Sequence, residues 1–145
     1  VKSADTNLFL YAANRQSPNH EAASKFFSSV QSDCEFVICE LVLIELYMQL
    51  RNPAVMPKPL NSALAASFCE TFKVHPHWQH IDYCPEVSES LWQWAKKSSS
   101  GFRRIIDARL GLTLLYHGVT EFATANVKDF ASLGFKRVWN PLEAR

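Results

Sequence analysis

The stretch Phe36-Val37-Ile38-Cys39-Glu40-Leu41-Val42-Leu43-Ile44-Glu45-Leu46-Tyr47-Met48-Gln49-Leu50 decides the fold. Its first four residues read as a short buried strand. From Glu40 the run reads as a helix that is apolar almost all round, a pattern expected of a helix buried on most sides. It ends at Arg51-Asn52-Pro53, where proline cannot continue a helix. One acid, Glu45, lies in the middle of this apolar helix.

The same alternation of strand and helix extends in both directions. Lys2–Asp5 is a strand candidate, and Leu8–Ala13 begins a helix with Asp5 or Thr6 as cap. Ser17-Pro18 interrupts it, and Glu21–Val30 is helical, with Ala22, Ala23, Phe26, Phe27 and Val30 at helical spacing. Downstream, Ala54–Leu60 is a proline-rich loop, and Asn61 caps a helix over Ser62–Phe72. Lys73–Asp82 holds a short strand, Pro85 opens a helix to Lys97, and Ser98–Gly101 is small, polar and flexible. A helix from about Arg103 stops at His117-Gly118. Thr120–Thr124 is a strand, Val127–Leu133 a short helix or turn, and Lys136–Asn140 the last strand. No repeat, linker or second domain interrupts the pattern. The expectation is one α/β domain over residues 1–145, with helices around a mainly parallel sheet.

Composition narrows the class. The chain has 145 residues, 48% hydrophobic and 20% charged, which suits a domain with a proper core. A net charge of +1 is too small to draw nucleic acid by bulk electrostatics, so a nucleic-acid partner must meet a local patch. Cys34, Cys39, Cys69 and Cys84 show no zinc spacing and fit reduced, mostly buried thiols. No signal peptide opens the chain and no apolar run reaches about 18 residues. A soluble, cytoplasmic protein without membrane contact is expected.

The acids carry the functional signal. In Arg103-Arg104-Ile105-Ile106-Asp107-Ala108-Arg109-Leu110, Asp107 sits inside an apolar helical run. A buried carboxylate needs a hydrogen bond, an ion pair or a metal. Asp5, at the carboxyl end of the first strand, Glu45 and Asp129 stand in similar settings. In open α/β sheets ligands sit beyond the carboxyl ends of the strands, where Asp5, Asn126 and Asp129 fall. Carboxylates crowded there repel one another, and Mg²⁺ or Mn²⁺ relieves the conflict. Such an ion also acidifies a water for attack on a phosphodiester.

Each residue has a plainer alternative. Asp5 can simply cap a helix, Asp129 can serve a turn, and Arg103 or Arg104 can pair with Asp107. The same two arginines can grip RNA phosphates. His75, His77 and His80 lack a fourth zinc ligand, and a strand surface or dimer contact suits them better. Trp78, Trp92 and Trp94 can stack bases, but packing is the better account. A haloacid-dehalogenase phosphatase is excluded, because Asn7 stands where a second aspartate is needed.

Four blocks resemble the signature of PIN-domain ribonucleases, with the toxins of VapBC-type toxin–antitoxin pairs as the closest group. They are Val1–Ala12 with Asp5-Thr6-Asn7, Leu43–Leu46 running into Leu50–Pro53, Arg104–Leu110, and Phe122–Phe130. The resemblance implies a three-layer α/β/α sandwich with a five-stranded parallel sheet. It implies Mg²⁺- or Mn²⁺-dependent endonucleolytic cleavage of RNA, often structured RNA. By position, Asp5, Glu45, Asp107 and Asp129 take the catalytic acidic roles. Asp5 and Asp107 would hold the metal, while Thr6 and Asn126 support the site. A homodimer held by an antitoxin is implied as well. One departure is Asn126, where many relatives carry aspartate. Two competing readings are a catalytically weak interaction protein acting with an antitoxin in an autorepressor, and a DNA-directed nuclease of the same fold.

Overall fold

A computed structural model describes residues 1–99 and 101–143. Ser100, part of the expected flexible stretch, lies outside them. The elements in order are β1 (Lys2–Ala4), α1 (Thr6–Ala13), α2 (His20–Val30), β2 (Phe36–Cys39), α3 (Glu40–Leu50), α4 (Ser62–Lys73) and β3 (Gln79–Ile81). There follow α5 (Pro85–Lys97), α6 (Arg104–Tyr116), β4 (Glu121–Ala123), α7 (Val127–Phe130), β5 (Arg137–Trp139) and a 3₁₀ turn at Pro141–Glu143.

The five strands form one sheet in the order β3-β2-β1-β4-β5, and every pairing is parallel. Parallel neighbours need crossover helices, and crossovers are right-handed. That order therefore puts α1–α4 on one face and α5–α7 on the other. The helix contacts follow the division: α1 meets α2 and α3, and α3 meets α4, while α6 meets α5 and α7. The result is a three-layer α/β/α sandwich. The chain leaves β1 toward β2 and later returns to its other side through β4. The reversal of strand order, where such sheets bind ligands, thus lies between β1 and β4.

Local chemistry explains the boundaries. Asp5 caps α1 and Asn61 caps α4, its side chain accepting from the Leu64 N–H at 2.9 Å. Pro85 is the first residue of α5, where its missing N–H costs nothing. Gly118, at φ +88°, follows α6 and takes the left-handed turn that favours glycine. Phe36, Phe122 and Phe130 are fully buried, each contributing about 1.5–3 kcal/mol over its exposed state. Trp78 packs among Phe9, Phe27, Phe36 and Phe72, and its indole N–H donates to the Val30 carbonyl at 2.9 Å.

Two expectations need correction. Helix α3 is not buried on most sides: Ile44 is 50% and Met48 62% exposed. The helix packs on β2, α1 and α4, and Ile44 and Met48 lie on its open side. Nor are the thiols mostly buried. Cys39 and Cys69 are, but Cys84 is half-buried and Cys34, on the loop entering β2, is exposed; all four are free. The three histidines part company. His75 stacks on Trp78, His77 lies 3.9 Å from the Cys34 sulfur, and His80 meets Glu40 at 2.6 Å.

Candidate active site

The site begins where β1 ends. The Asp5 N–H continues the sheet ladder to the Ala123 carbonyl at 2.9 Å, and its side chain turns to cap α1. Oδ1 accepts from the Thr6 N–H and Oδ2 from the Thr124 hydroxyl, both at 2.8 Å. Asp5 is only 7% exposed. Burial pushes its carboxyl up to about 6, against the lowering effect of those two hydrogen bonds. The charges of Glu45 and Asp107 push the same way as burial.

Glu45 projects from the middle of α3, and its Oε1 accepts from the Thr6 hydroxyl at 3.0 Å. Burial raises its carboxyl above the usual range, the Thr6 bond opposes this, and the charge of Asp107 reinforces it. Asp107 stands in the first turn of α6. Burial raises it too, the charge of Asp129 adds, and the Arg104 guanidinium opposes. These mutual effects link the four acids in series, Asp5 to Glu45 and Asp107, and Asp107 to Asp129. Residues far apart in sequence thus share one electrostatic neighbourhood at the carboxyl ends of β1 and β4.

Asp129 lies in α7, and Arg104 ties it to Asp107. The guanidinium places Nε 3.4 Å from Asp107 Oδ2 and Nη1 3.3 Å from Asp129 Oδ1, while Nη2 donates to the Asp129 carbonyl at 2.8 Å. Arg104 therefore faces the acids rather than solvent. Arg103 is exposed, its guanidinium 5.6 Å above the Phe102 ring. Asn126 is exposed at the entry to α7, and its backbone N–H donates to Thr124 Oγ1 at 3.0 Å.

Thr124 is the site residue that sequence reasoning passed over. It is fully buried and joins the Asp5 carboxylate to the Asn126 backbone. A hydroxyl residue directly after an apolar strand, at the same sheet end as Asp5, was the available signal.

Among the described residues, no three His, Cys, Asp or Glu side chains form a ready-made metal cage. The donor set still fits a hard divalent cation. All its atoms are carboxylate oxygens, and Mg²⁺ is usually held by one or two carboxylates with waters completing its shell. The carboxyls are also raised by burial and mutual charge, a strain that a cation relieves.

The chain matches the PIN domain family model over residues 4–136. It is 45% identical to ribonuclease VapC24 of Mycobacterium tuberculosis over 140 residues, spanning 97% of this chain and 96% of that protein. Among solved structures it is similar to Mycobacterium tuberculosis VapC20, a sarcin–ricin loop cleaving toxin. The TM-score there is 0.72 at 16% identity, over 93% of this chain and 96% of that one. It is also similar to a chain of FitAcB from Neisseria gonorrhoeae, with a TM-score of 0.68 at 17% identity over 99% of both chains. These two likenesses are likenesses of fold. With the family model spanning most of its length and a relative this similar in sequence, the chain belongs to the PIN-domain family.

Proposed function

We propose that this chain is a divalent-cation-dependent endoribonuclease, the toxin of a VapBC-type toxin–antitoxin pair. The observation that carries the reading is that Thr6 bonds both Asp5, through its N–H, and Glu45, through its hydroxyl, while Asp107 acts electrostatically on both acids, at the carboxyl end of the sheet. A domain with a purely scaffolding task has no use for three carboxyls forced together in this way.

Asp5 and Asp107 would hold Mg²⁺ or Mn²⁺. When bound, the cation supplies Lewis acidity toward a phosphodiester and makes a neighbouring water more acidic. The protein's own part is positional. The Thr6 N–H and the Thr124 hydroxyl fix both oxygens of Asp5, so that carboxylate reaches the site in one orientation. The Thr6 hydroxyl orients Glu45, whose raised carboxyl suits it to take a proton from the attacking water. Asp129, whose N–H donates to the Asn126 carbonyl, completes the acidic wall. Arg103 remains outside to meet the RNA backbone. An antitoxin, a homodimer and a cytoplasmic setting complete the proposal. The relation to a ribonuclease and the fold shared with a sarcin–ricin loop cleaving toxin support it.

The test is digestion of structured RNA and single-stranded DNA, side by side, with Mg²⁺, with Mn²⁺ and with EDTA. RNA is cut, DNA is spared, EDTA stops the reaction, and Asp107→Asn is inactive while folded. Cleavage that survives EDTA or Asp107→Asn removes the metal-dependent assignment, and no cleavage by the native chain with either cation leaves an interaction protein. Equal cutting of DNA transfers the activity to the other substrate. In cells the native chain arrests growth and the Asp107→Asn chain does not.

A further inference from the structure

Arg104 spans two of the acids, Asp107 and Asp129. Its guanidinium lies 3.4 Å from Asp107 and 3.3 Å from Asp129, and donates to the Asp129 carbonyl. Yet the contact is imperfect. Nε is buried and forms no hydrogen bond, although a carboxylate stands beside it. A guanidinium held by charge, with one donor left unmatched, is anchored less firmly than a fully bonded one. Beside it opens a cleft of about 320 Å³, lined in part by Lys97, Ser98, Ser99 and Ser132, and by Arg104 and Asp129 themselves.

We infer that Arg104 is a resident counter-ion: it holds Asp107 and Asp129 when no divalent cation is present, competes with that cation for Asp107, and on displacement reaches further into the Lys97 cleft that it lines, to grip an RNA phosphate. This rests on the metal-nuclease reading and adds a competition within it. A divalent ion on Asp5 and Asp107 and a guanidinium on Asp107 and Asp129 would both lie against Asp107, and two cations on one carboxylate repel each other. The incoming divalent ion carries the greater charge, so the guanidinium gives way. Released there, its planar fork matches two phosphate oxygens, and Lys97 supplies a second positive charge in the same cleft. The device keeps the acidic wall assembled before metal arrives and couples metal entry to readiness for an anionic backbone.

The test reads metal binding directly. Free Mn²⁺ is followed by electron paramagnetic resonance during titration of the native chain, Arg104→Gln and Arg104→Lys, with circular dichroism as the folding control. Removing one partly exposed positive charge beside the ligands should tighten Mn²⁺ binding about tenfold in Arg104→Gln, and less in Arg104→Lys. At saturating Mn²⁺ the KM for RNA should rise about tenfold in Arg104→Gln while kcat changes less. Equal or weaker Mn²⁺ binding by folded Arg104→Gln overturns the competition and leaves the nuclease reading standing. Failure of native and variant chains alike to bind Mn²⁺ overturns both. If Arg104→Gln does not fold, Arg104→Lys decides: unchanged affinity and unchanged KM there reject the proposal.

Discussion

Replacing Asp5 by asparagine should stabilise this protein at neutral pH in the absence of metal, while abolishing its activity. The carboxyl is raised from 3.8 to about 6, chiefly by burial. Each unit of such a shift is worth about 1.4 kcal/mol, so ionised Asp5 costs the fold about 3 kcal/mol. The sign follows from proton binding. Between 3.8 and about 6 the folded chain holds a proton that the unfolded chain has lost. Stability contributed by protonated Asp5 is therefore full below 3.8, falls as pH rises through that window, and is gone above about 6. Asparagine never ionises; its Oδ1 still accepts from the Thr6 N–H, while the Thr124 bond reverses, the amide donating to Oγ1 beside the Asn126 N–H. Urea melts in EDTA at about pH 4 and about pH 7.5 measure the difference. Near the lower pH the two proteins should be similar. Near the higher, Asp5→Asn should gain about 2 kcal/mol, roughly 4–8 °C in Tm for a domain of this size. Added Mn²⁺ should stabilise the native chain and not the variant. A variant less stable than the native chain near pH 7.5 in EDTA would refute the reasoning, because Asp5 would then be a net stabilising cap rather than a strained ligand.

Other outcomes follow from the same geometry. Glu45→Gln should fold normally and lose RNA cleavage by about a hundredfold or more, the scale of a lost proton acceptor; near-native rates in a single-turnover assay count against its role. Thr124→Val removes the buried hydroxyl bonded to Asp5 and to the Asn126 N–H, and should cost about 1–3 kcal/mol in denaturant melts. Because that bond lowers the Asp5 carboxyl, the same variant should shift the acid limb of the pH–rate profile upward. An unmoved limb assigns the limb to another group.

Much of the fold was legible because its periodicities are local. Phe36–Cys39 and Glu40–Leu50 coincide with β2 and α3, since a four-residue apolar run handing over to a helical pattern leaves little freedom in the boundary. The caps at Asp5 and Asn61 and the stops at Pro53 and Gly118 were readable for the same reason. Pattern could not say which side of α3 stays open, because exposure depends on what packs against a helix, and Ile44 and Met48 look like core residues in isolation. The site was legible as a set of acids in order. Its geometry was not. That Thr6 bonds Glu45, that Thr124 bonds Asp5 and that Arg104 spans Asp107 and Asp129 are contacts between residues dozens apart in the chain or set by a single rotamer. Arg104 shows the limit best. Sequence allowed it either phosphate or carboxylate, and only the packing of α6 against α7 turns it inward.

The central claim is that acids at the ends of β1 and β4, joined by those on α3 and α6, are built to receive a divalent cation. A crystal soaked in Mn²⁺ and measured at the manganese absorption edge tests it most directly. The account predicts one anomalous peak about 2 Å from carboxylate oxygens of both Asp5 and Asp107, lost in an Asp5→Asn crystal. A clean map with no peak at those two carboxylates, at Mn²⁺ concentrations that support RNA cleavage, would contradict it.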